Sequence, residues 1–466
     1  MNQPKAALLP LYLKLYDDHL PRLRQVLEPW LQEVAARLEA HGLELLRLPI
    51  CRVREEFASA ISAAQKAECD VLFTLHIAYS PSLESADMLA RMPLPVVCID
   101  TTMDHDFGPH VEPDRLLYNH GVHGLQDLAN LLRRYGKRFE VVAGHYQRSD
   151  VLERAAELAR LAAAARRLRH TKAVRIGSQF AGMGDFQVER ETLEHLGVEV
   201  HEIAVTDLAK TAGGVTAQRV REEMERDRRR FDVQADADTH ERCVRVGLLL
   251  GDYLHEHHYS AFSMNFQDFV YPVGPVDTVP FLGASKAMEA GIGYAGEGDV
   301  LTAALVGALL GRWPRTTFTE IFCPDWAGGT LFLSHMGEVN PAVAAARPLL
   351  CQRPFPYTPT HPPAYLACAM APGPAVLVNI APGPDGELVL LIAPVELLEE
   401  NQPHPEMRTR IRGWIRPAWP LERFLERYSQ LGGTHHSALA LGATGEAVAA
   451  MARLAGLPYE ILGEAR

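Results

Sequence analysis

The chain has 466 residues, with 46 Lys and Arg against 58 Asp and Glu and a formal charge of −12. An apolar share of 47% with 22% charged residues excludes global disorder, and the acidic balance argues against a general nucleic-acid-binding surface, which needs a basic face. The length allows several hydrophobic cores without metal or disulfide staples, and seven cysteines, an odd number with no CxxC pair, point to a reducing compartment. The N-terminal segment lacks the apolar stretch and cleavage site of a signal peptide, and no run of about 18 uncharged apolar residues occurs. The expected location is therefore the cytoplasm, with neither membrane nor nucleic acid as partner.

Leu20 to His41 carries Leu23, Val26, Leu27, Trp30, Leu31, Val34 and Leu38 at helical spacing. After the Gly42 stop, Glu44 to Pro49 reads as a strand, Phe57 to Glu68 as a helix, and Val71 to His76 and Val96 to Asp100 as buried strands. Asn119 to Tyr135 reads as a helix and Phe139 to His145 as a further strand. Strands alternating with helices predict a parallel sheet covered on both faces. The Ala- and Leu-rich helix Asp150 to Arg169 bridges to a second unit of this kind. There Ala173 to Ile176, Val198 to Ala204 and Tyr259 to Phe266 read as strands; Thr216 to Phe231, His240 to His258, Ser285 to Ala290 and Leu301 to Leu310 read as helices. A turn-rich loop, PVGPVDTVP, occupies 272–280. Beyond about residue 315, short strands are expected at Thr316 to Phe322, Thr330 to Ser334, Tyr365 to Met370, Ala375 to Ile380 and Glu387 to Ile392. The last two form a hairpin through Pro-Asp-Gly, and a final helix runs from Thr444 to Leu454. The predicted fold is α/β: two Rossmann-like parallel-sheet α/β domains, 1–168 and 169–315, then a β-rich, barrel-like domain with a terminal helix, 316–466.

Generic motifs contribute little. His255-Glu256-His257-His258-Tyr259 lacks the second histidine of HExxH, so two imidazoles do not share a helix face. The glycine-rich GIGYAGEGD (291–299) is neither a dinucleotide fingerprint nor a Walker loop and reads as a tight turn delivering carboxylates. Four segments place isolated polar groups in apolar surroundings: Glu297 with Asp299, Glu320 in TTFTEIF, His335 in LFLSHMGEVNP, and His435-His436 in GGTHHSAL. Each alone fits a buried backbone partner or an exposed strand face. Together they supply carboxylates and imidazoles suited to Mn²⁺ or a similar divalent ion.

VPFLGASKAMEAGIGYAGEGDVLTAALVGAL (279–309), TTFTEIF, LFLSHMGEVNP and GGTHHSAL resemble, in the same order, the metal-binding segments of the L-arabinose isomerases and the wider L-arabinose/L-fucose isomerase superfamily. RIGSQFAGMGDF (175–186), YSAFSMNFQDF (259–269), NHGVHG (119–124) and VVAGHY (141–146) extend the resemblance. It implies a divalent-metal-dependent isomerase that interconverts a free aldose and its ketose through an enediol(ate). Glu297 and Glu320 would be the acid/base pair and metal ligands, with His335 and His436 completing the set and His435 the alternative to His436. His123, His120, Met183 and Gln267 would contact the substrate. Mn²⁺ would be the cofactor, with Co²⁺ or Mg²⁺ as substitutes, and the chain would form a homo-oligomer, a hexamer or tetramer, with sites near subunit interfaces.

The chain departs from the family at several points. ALLPLYLKLYD (7–17) stands where the family has its first strand and a Gly-Ser-Gln-His-Leu-Tyr-Gly type loop, so that strand is expected to be missing. Val300 and Leu301 replace the Trp and Lys of EGDWKTAAL, IFCPDW (321–326) replaces an acidic-aromatic run, and IDTTMDHDF (99–107) replaces an HTQFN-like stretch. The metal shell is kept and the sugar-contacting shell is not, which points to a divergent branch acting on another aldose or ketose. The alternatives are an epimerase or another sugar isomerase on this scaffold, or a non-catalytic sugar-binding protein.

Overall fold

A computed structural model of the chain describes residues 3–210, 212–270 and 274–463. Residues 271–273, which include the start of the expected loop 272–280, lie outside the described residues. The chain divides into two compact units: residues 1–166 with 453–456, and 167–452 with 457–466.

The first unit holds five parallel strands in the order Glu44–Arg47, Lys5–Leu11, Val71–His76, Val96–Asp100, Phe139–Ala143. This is a doubly wound order whose direction of travel reverses beside Lys5–Leu11. Alternation along that strand feeds two cores. Ala6 and Leu8 pack with helices Pro21–Ala40 and Val151–Arg169, while Ala7 and Leu9 pack with helices Arg54–Lys66, Ala86–Arg91 and Gly121–Arg134. The expected loss of the first strand is corrected here: the segment beginning at Lys5 is a buried inner strand. Pro10 is tolerated in this strand because pairing with Glu44–Arg47 ends at Leu8; its carbonyl accepts from Cys51 N at 3.0 Å.

In the second unit, four parallel strands run in the order Gly293–Gly296, Ala261–Met264, Thr171–Ile176, Val198–Ile203. Helix Val300–Leu310 (VLTAALVGALL) is buried on every side, as its unbroken apolar sequence requires. It packs against Gly293–Gly296 and Ala261–Met264 and also against the strands Thr316–Asp325, Gly373–Pro382 and His436–Leu441. Those three strands belong to a closed antiparallel barrel of six. Its order is Gly373–Pro382, His436–Leu441, Thr316–Asp325, Thr330–Ser334, Gly413–Pro417, Leu388–Leu397, and the last strand pairs back with the first. The closing hairpin turns at Pro384–Gly386, with Asp385 at φ 56°. The predicted fold class is therefore the observed one.

Some elements differ from expectation. The strand Ala364–Ala367 is outside the barrel and pairs with Leu349–Gln352 in a small separate sheet with Asp232–Val233. Barrel strand Gly413–Pro417 and helix Leu421–Gln430 come from a stretch given no element in the sequence. The presumed tight turn at 291–299 is half strand, Gly293–Gly296, because a parallel neighbour at Ala261–Met264 is present to pair with it. Among the described residues, no helix is long and apolar enough to cross a membrane.

Candidate metal centre

Barrel register assembles one side of the site. Glu320 lies directly opposite His436 across one strand pair and opposite Ser334 across the other, so His335 follows immediately beside it. Cross-strand partners share a face, which puts Glu320 and His436 on the same side of the sheet. Glu297 arrives from elsewhere, at the carboxyl end of strand Gly293–Gly296, where parallel sheets usually present ligand-binding groups. Glu297 sits at φ +64° and Gly298 at +86°. Two consecutive left-handed residues make this turn sharp, and strain of this kind at a non-glycine residue is characteristic of functional sites. A Cβ on Gly298 would stand 2.6 Å from Ser178 O, so the turn accepts only glycine there. Asp299 then caps helix Val300–Leu310, accepting from Thr302 N at 2.9 Å.

The side chains converge. His436 Nε2 is 3.3 Å from Glu297 Oε2 and 3.2 Å from Glu320 Oε1. His435 Nε2 is 3.8 Å from each of the same two oxygens, and His335 Nε2 is 3.9 Å from Glu320 Oε1. Ligand atoms of Glu297, Glu320, His435 and His436 all lie within 4.8 Å of one another. The opposite nitrogen of each imidazole is held by its own carboxylate. His436 Nδ1 meets Asp299 Oδ2 at 2.9 Å, His435 Nδ1 meets Asp185 Oδ2 at 2.6 Å, and His335 Nδ1 meets Glu338 Oε2 at 2.6 Å. Anchoring one ring nitrogen on an acceptor fixes the tautomer and leaves the other nitrogen free as a ligand. Phe186 stacks on His436 at 4.7 Å, and Phe318 meets His335 and His436 edge-on at 4.6 and 5.0 Å.

The charge balance follows from this packing. Burial pushes the Glu297 carboxyl up, but the His435 and His436 imidazoles outweigh it and hold the group at about 2. Burial likewise opposes ionisation of Glu320, and the nearby His335 and His436 bring it below the ordinary carboxylate range. Burial disfavours the charged form of His436, yet Asp299, Glu297 and Glu320 raise it well above 6.5. His335 is raised in the same way by Glu338 and Glu320.

The donor set fits a divalent cation. His436 Nε2 and Glu297 Oε2 are buried without a hydrogen-bond partner, although they face each other. A pair of oxygens and several imidazole nitrogens around one point is the mixture borderline divalent metals take. Of the remaining expected contacts, Met183 and Gln267 line a cavity of about 370 Å³ together with Glu297 and His335. His120 and His123 belong to the first unit. There His120 Nε2 lies 2.9 Å from Tyr16 Oη, and the His123 ring packs 4.8 Å from Tyr79. The sequence reading left Asp185 and Glu338 without a role. Glu338 carried a signal, an acid three residues after His335; Asp185 lay in the resembling segment RIGSQFAGMGDF, but its role stayed hidden because its partner His435 is 250 positions away.

Fold and centre together define an α/β protein that mounts a carboxylate–imidazole cluster between a parallel sheet and a six-stranded barrel. Two family models match the chain, the L-arabinose isomerase central domain over residues 183–310 and the L-arabinose isomerase C-terminal domain over 315–458. Among curated relatives, L-arabinose isomerase of Acidothermus cellulolyticus is 27% identical over 76% of this chain and 72% of its own length. That of Herpetosiphon aurantiacus is 25% identical over 92% and 88%, and that of Nocardioides sp. 29% identical over 72% and 68%. A periplasmic solute-binding protein from Actinobacillus succinogenes with bound D-allose is 10% identical, covering 66% of this chain and 91% of that one, at a TM-score of 0.17. That score is too low to carry structural weight. The two domain matches span more than half of the chain, which belongs to the L-arabinose isomerase-like family. The enzyme class that comes with the family is that of the sugar isomerases, which are intramolecular oxidoreductases.

Proposed function

We propose that the protein is a divalent-metal-dependent aldose–ketose isomerase acting on a free monosaccharide. The observation that carries this reading is the set of three imidazoles, each anchored through Nδ1 on a carboxylate, with Nε2 of His435 and His436 turned toward both Glu297 and Glu320 and Nε2 of His335 toward Glu320. Glu297, Glu320, His335 and His436 would hold the ion, with His435 as the alternative to His436. Mn²⁺ is the assigned ion, with Co²⁺ or Mg²⁺ as substitutes; when bound, it stabilises negative charge developing on the carbonyl and adjacent hydroxyl oxygens.

The residues do the proton work. One carboxylate of the Glu297–Glu320 pair takes the proton from the carbon next to the carbonyl and returns it to the former carbonyl carbon. The other moves the hydroxyl proton to the oxygen that was the carbonyl, so the aldose becomes the ketose with no net gain or loss of protons. The low proton affinity of Glu297 keeps it ionised throughout the neutral range. Met183 and Gln267 form part of the substrate wall. His120 and His123 complete substrate binding in a homo-oligomer, a hexamer or tetramer, whose sites lie near subunit contacts.

Purified protein incubated with Mn²⁺ and a panel of pentoses and hexoses should form ketose, lose that activity in EDTA and regain it on adding Mn²⁺. Absence of bound metal on elemental analysis, with no ketose from any aldose, overturns the reading. Sedimentation of the metal-loaded protein checks the assembly, and a monomer would overturn that part.

A further inference from the structure

Across the parallel sheet of the second unit, Glu202, Arg175 and Ser263 stand directly opposite one another on neighbouring strands. Residues in register share a face, so they form a row of polar side chains, of which Arg175 and Ser263 are buried. Both reach toward the segment that carries Glu297. Ser263 Oγ lies 2.7 Å from Ala295 O and 3.1 Å from Gly296 O. Arg175 Nε donates to Gly298 O at 3.0 Å, and its Nη1 donates to Glu202.

Burying a guanidinium is costly, and Glu202 does not account for it. That side chain is 62% exposed, and an ion pair to an exposed group contributes little. Burial opposes the cation, and the charges of Glu202 and Asp299 favour it. What the buried position gains is the bond to Gly298 O, a carbonyl also reached by Val300 N at 3.1 Å. Gly298 lies between Glu297 and Asp299, in the turn where Glu297 and Gly298 are both left-handed. Backbone bonds also fasten this turn: Glu297 N donates to Met264 O at 2.8 Å, and Phe180 N to Glu297 O at 3.0 Å. Glu297 offers its carboxylate to the metal centre, and Asp299 braces His436 Nδ1 at 2.9 Å. A turn that slips therefore displaces both.

We infer that Arg175 is a positioning residue: it holds the Glu297–Gly298–Asp299 turn in its left-handed form, so that the Glu297 carboxylate and the Asp299 brace on His436 reach the metal centre together. The effect on the cation rests on the metal-centre reading proposed above; the hold on the turn does not.

The test compares the full-length protein with Arg175→Met and Arg175→Lys. Amide hydrogen exchange of the metal-free proteins reads the turn. In Arg175→Met the Glu297 and Phe180 amides should exchange about tenfold or more faster, while strand Val198–Ile203 keeps its protection. Calorimetry should show Mn²⁺ affinity lower by about 10- to 100-fold, the size expected when a group that orients metal ligands is lost. The visible absorption of the Co²⁺-loaded protein should change as well. At saturating Mn²⁺, kcat should fall with KM little altered, because Arg175 is not in the wall of the cavity beside Glu297. Arg175→Lys keeps a charged donor and should recover part of each loss. Unchanged amide exchange and Mn²⁺ affinity in Arg175→Met overturn the inference. Loss of protection spread evenly over the second unit in both variants also overturns it, since that marks a general structural role. If the unaltered protein binds no Mn²⁺, the metal-centre reading fails and amide exchange alone decides whether Arg175 holds the turn. If it binds Mn²⁺ but forms no ketose, the isomerase reading fails, and exchange with affinity decides.

Discussion

His76 in the first unit and His436 in the second are both almost fully buried, and their surroundings give them opposite characters. His76 ends strand Val71–His76 beneath helix Gly121–Arg134, and neither ring nitrogen has a hydrogen-bond partner. The two glycines of NHGVHG let that helix come close: a Cβ on Gly124 would stand 2.5 Å from the His76 ring, and one on Gly121 would stand 2.4 Å from the His76 carbonyl. Desolvation lowers the imidazole to about 3, with the charge of Asp127 opposing only weakly. His436 is no less buried, but Asp299, Glu297 and Glu320 surround it and raise it. Burial alone silences an imidazole; burial among carboxylates readies it for charge or for a cation.

The largest test of this contrast is chemical. Glu297→Gln and Glu320→Gln should each lower turnover by about 10²- to 10⁴-fold in protein whose first unit melts unchanged. Near-normal turnover in either variant removes the acid/base assignment.

Acid should separate the two units next. His76 is depressed from 6.5 to about 3. The unfolded chain therefore takes the proton first, and a penalty on the first unit begins as pH falls below about 6.5 and grows until about 3. At pH 5 it amounts to about 2 kcal/mol, read as lost amide protection in residues 3–166 and removed by His76→Leu. For His436 the sign reverses. In metal-free protein its pairing is fully stabilising below about 6.5 and is lost as pH rises through its raised native value. If protection falls equally in both units between about pH 6.5 and 5, above the range where Glu297 and Glu320 begin to cost the second unit stability, the contrast is wrong.

A smaller effect concerns the cation. Binding must displace protons from the raised imidazoles, so Mn²⁺ affinity should rise with pH by about tenfold per unit for each proton released. Calorimetry in buffers of different ionisation enthalpy counts those protons, and an affinity independent of pH would contradict the arrangement. The smallest expected effect is Gly337→Ala, which crowds the Phe281 ring and should cost the second unit about 1 kcal/mol in a denaturant titration, leaving the first unit unchanged.

Much of this was legible in the residues. Val71–His76 and Val96–Asp100 declare themselves as buried parallel strands by continuous apolar runs, and the barrel's closing hairpin by Pro-Asp-Gly between two β-rich stretches. Lys5–Leu11 was missed because its residues depart from the family's N-terminal pattern, although a strand needs only a neighbour to pair with and apolar faces to bury. Ala364–Ala367 looked like a barrel strand because local pattern does not say which sheet a strand joins. The same limit applies to the centre. Glu297, Glu320, His335 and the His435-His436 pair stood out as polar groups in apolar runs. Asp185 behind His435 did not, since a carboxylate near a glycine turn looks like any surface residue until the chain folds back.

The sequence by itself determined the alternation of strand and helix, the buried all-apolar helix Val300–Leu310 and the residue types on offer to a cation, because these follow from local periodicity and side-chain chemistry. Only the tertiary structure decided that Glu320 faces His436 across a ladder, that Glu297 reaches them from another sheet, and that each imidazole is braced by its own carboxylate. Distances through space between residues far apart in the chain are set by strand register and sheet packing, and no local pattern encodes them.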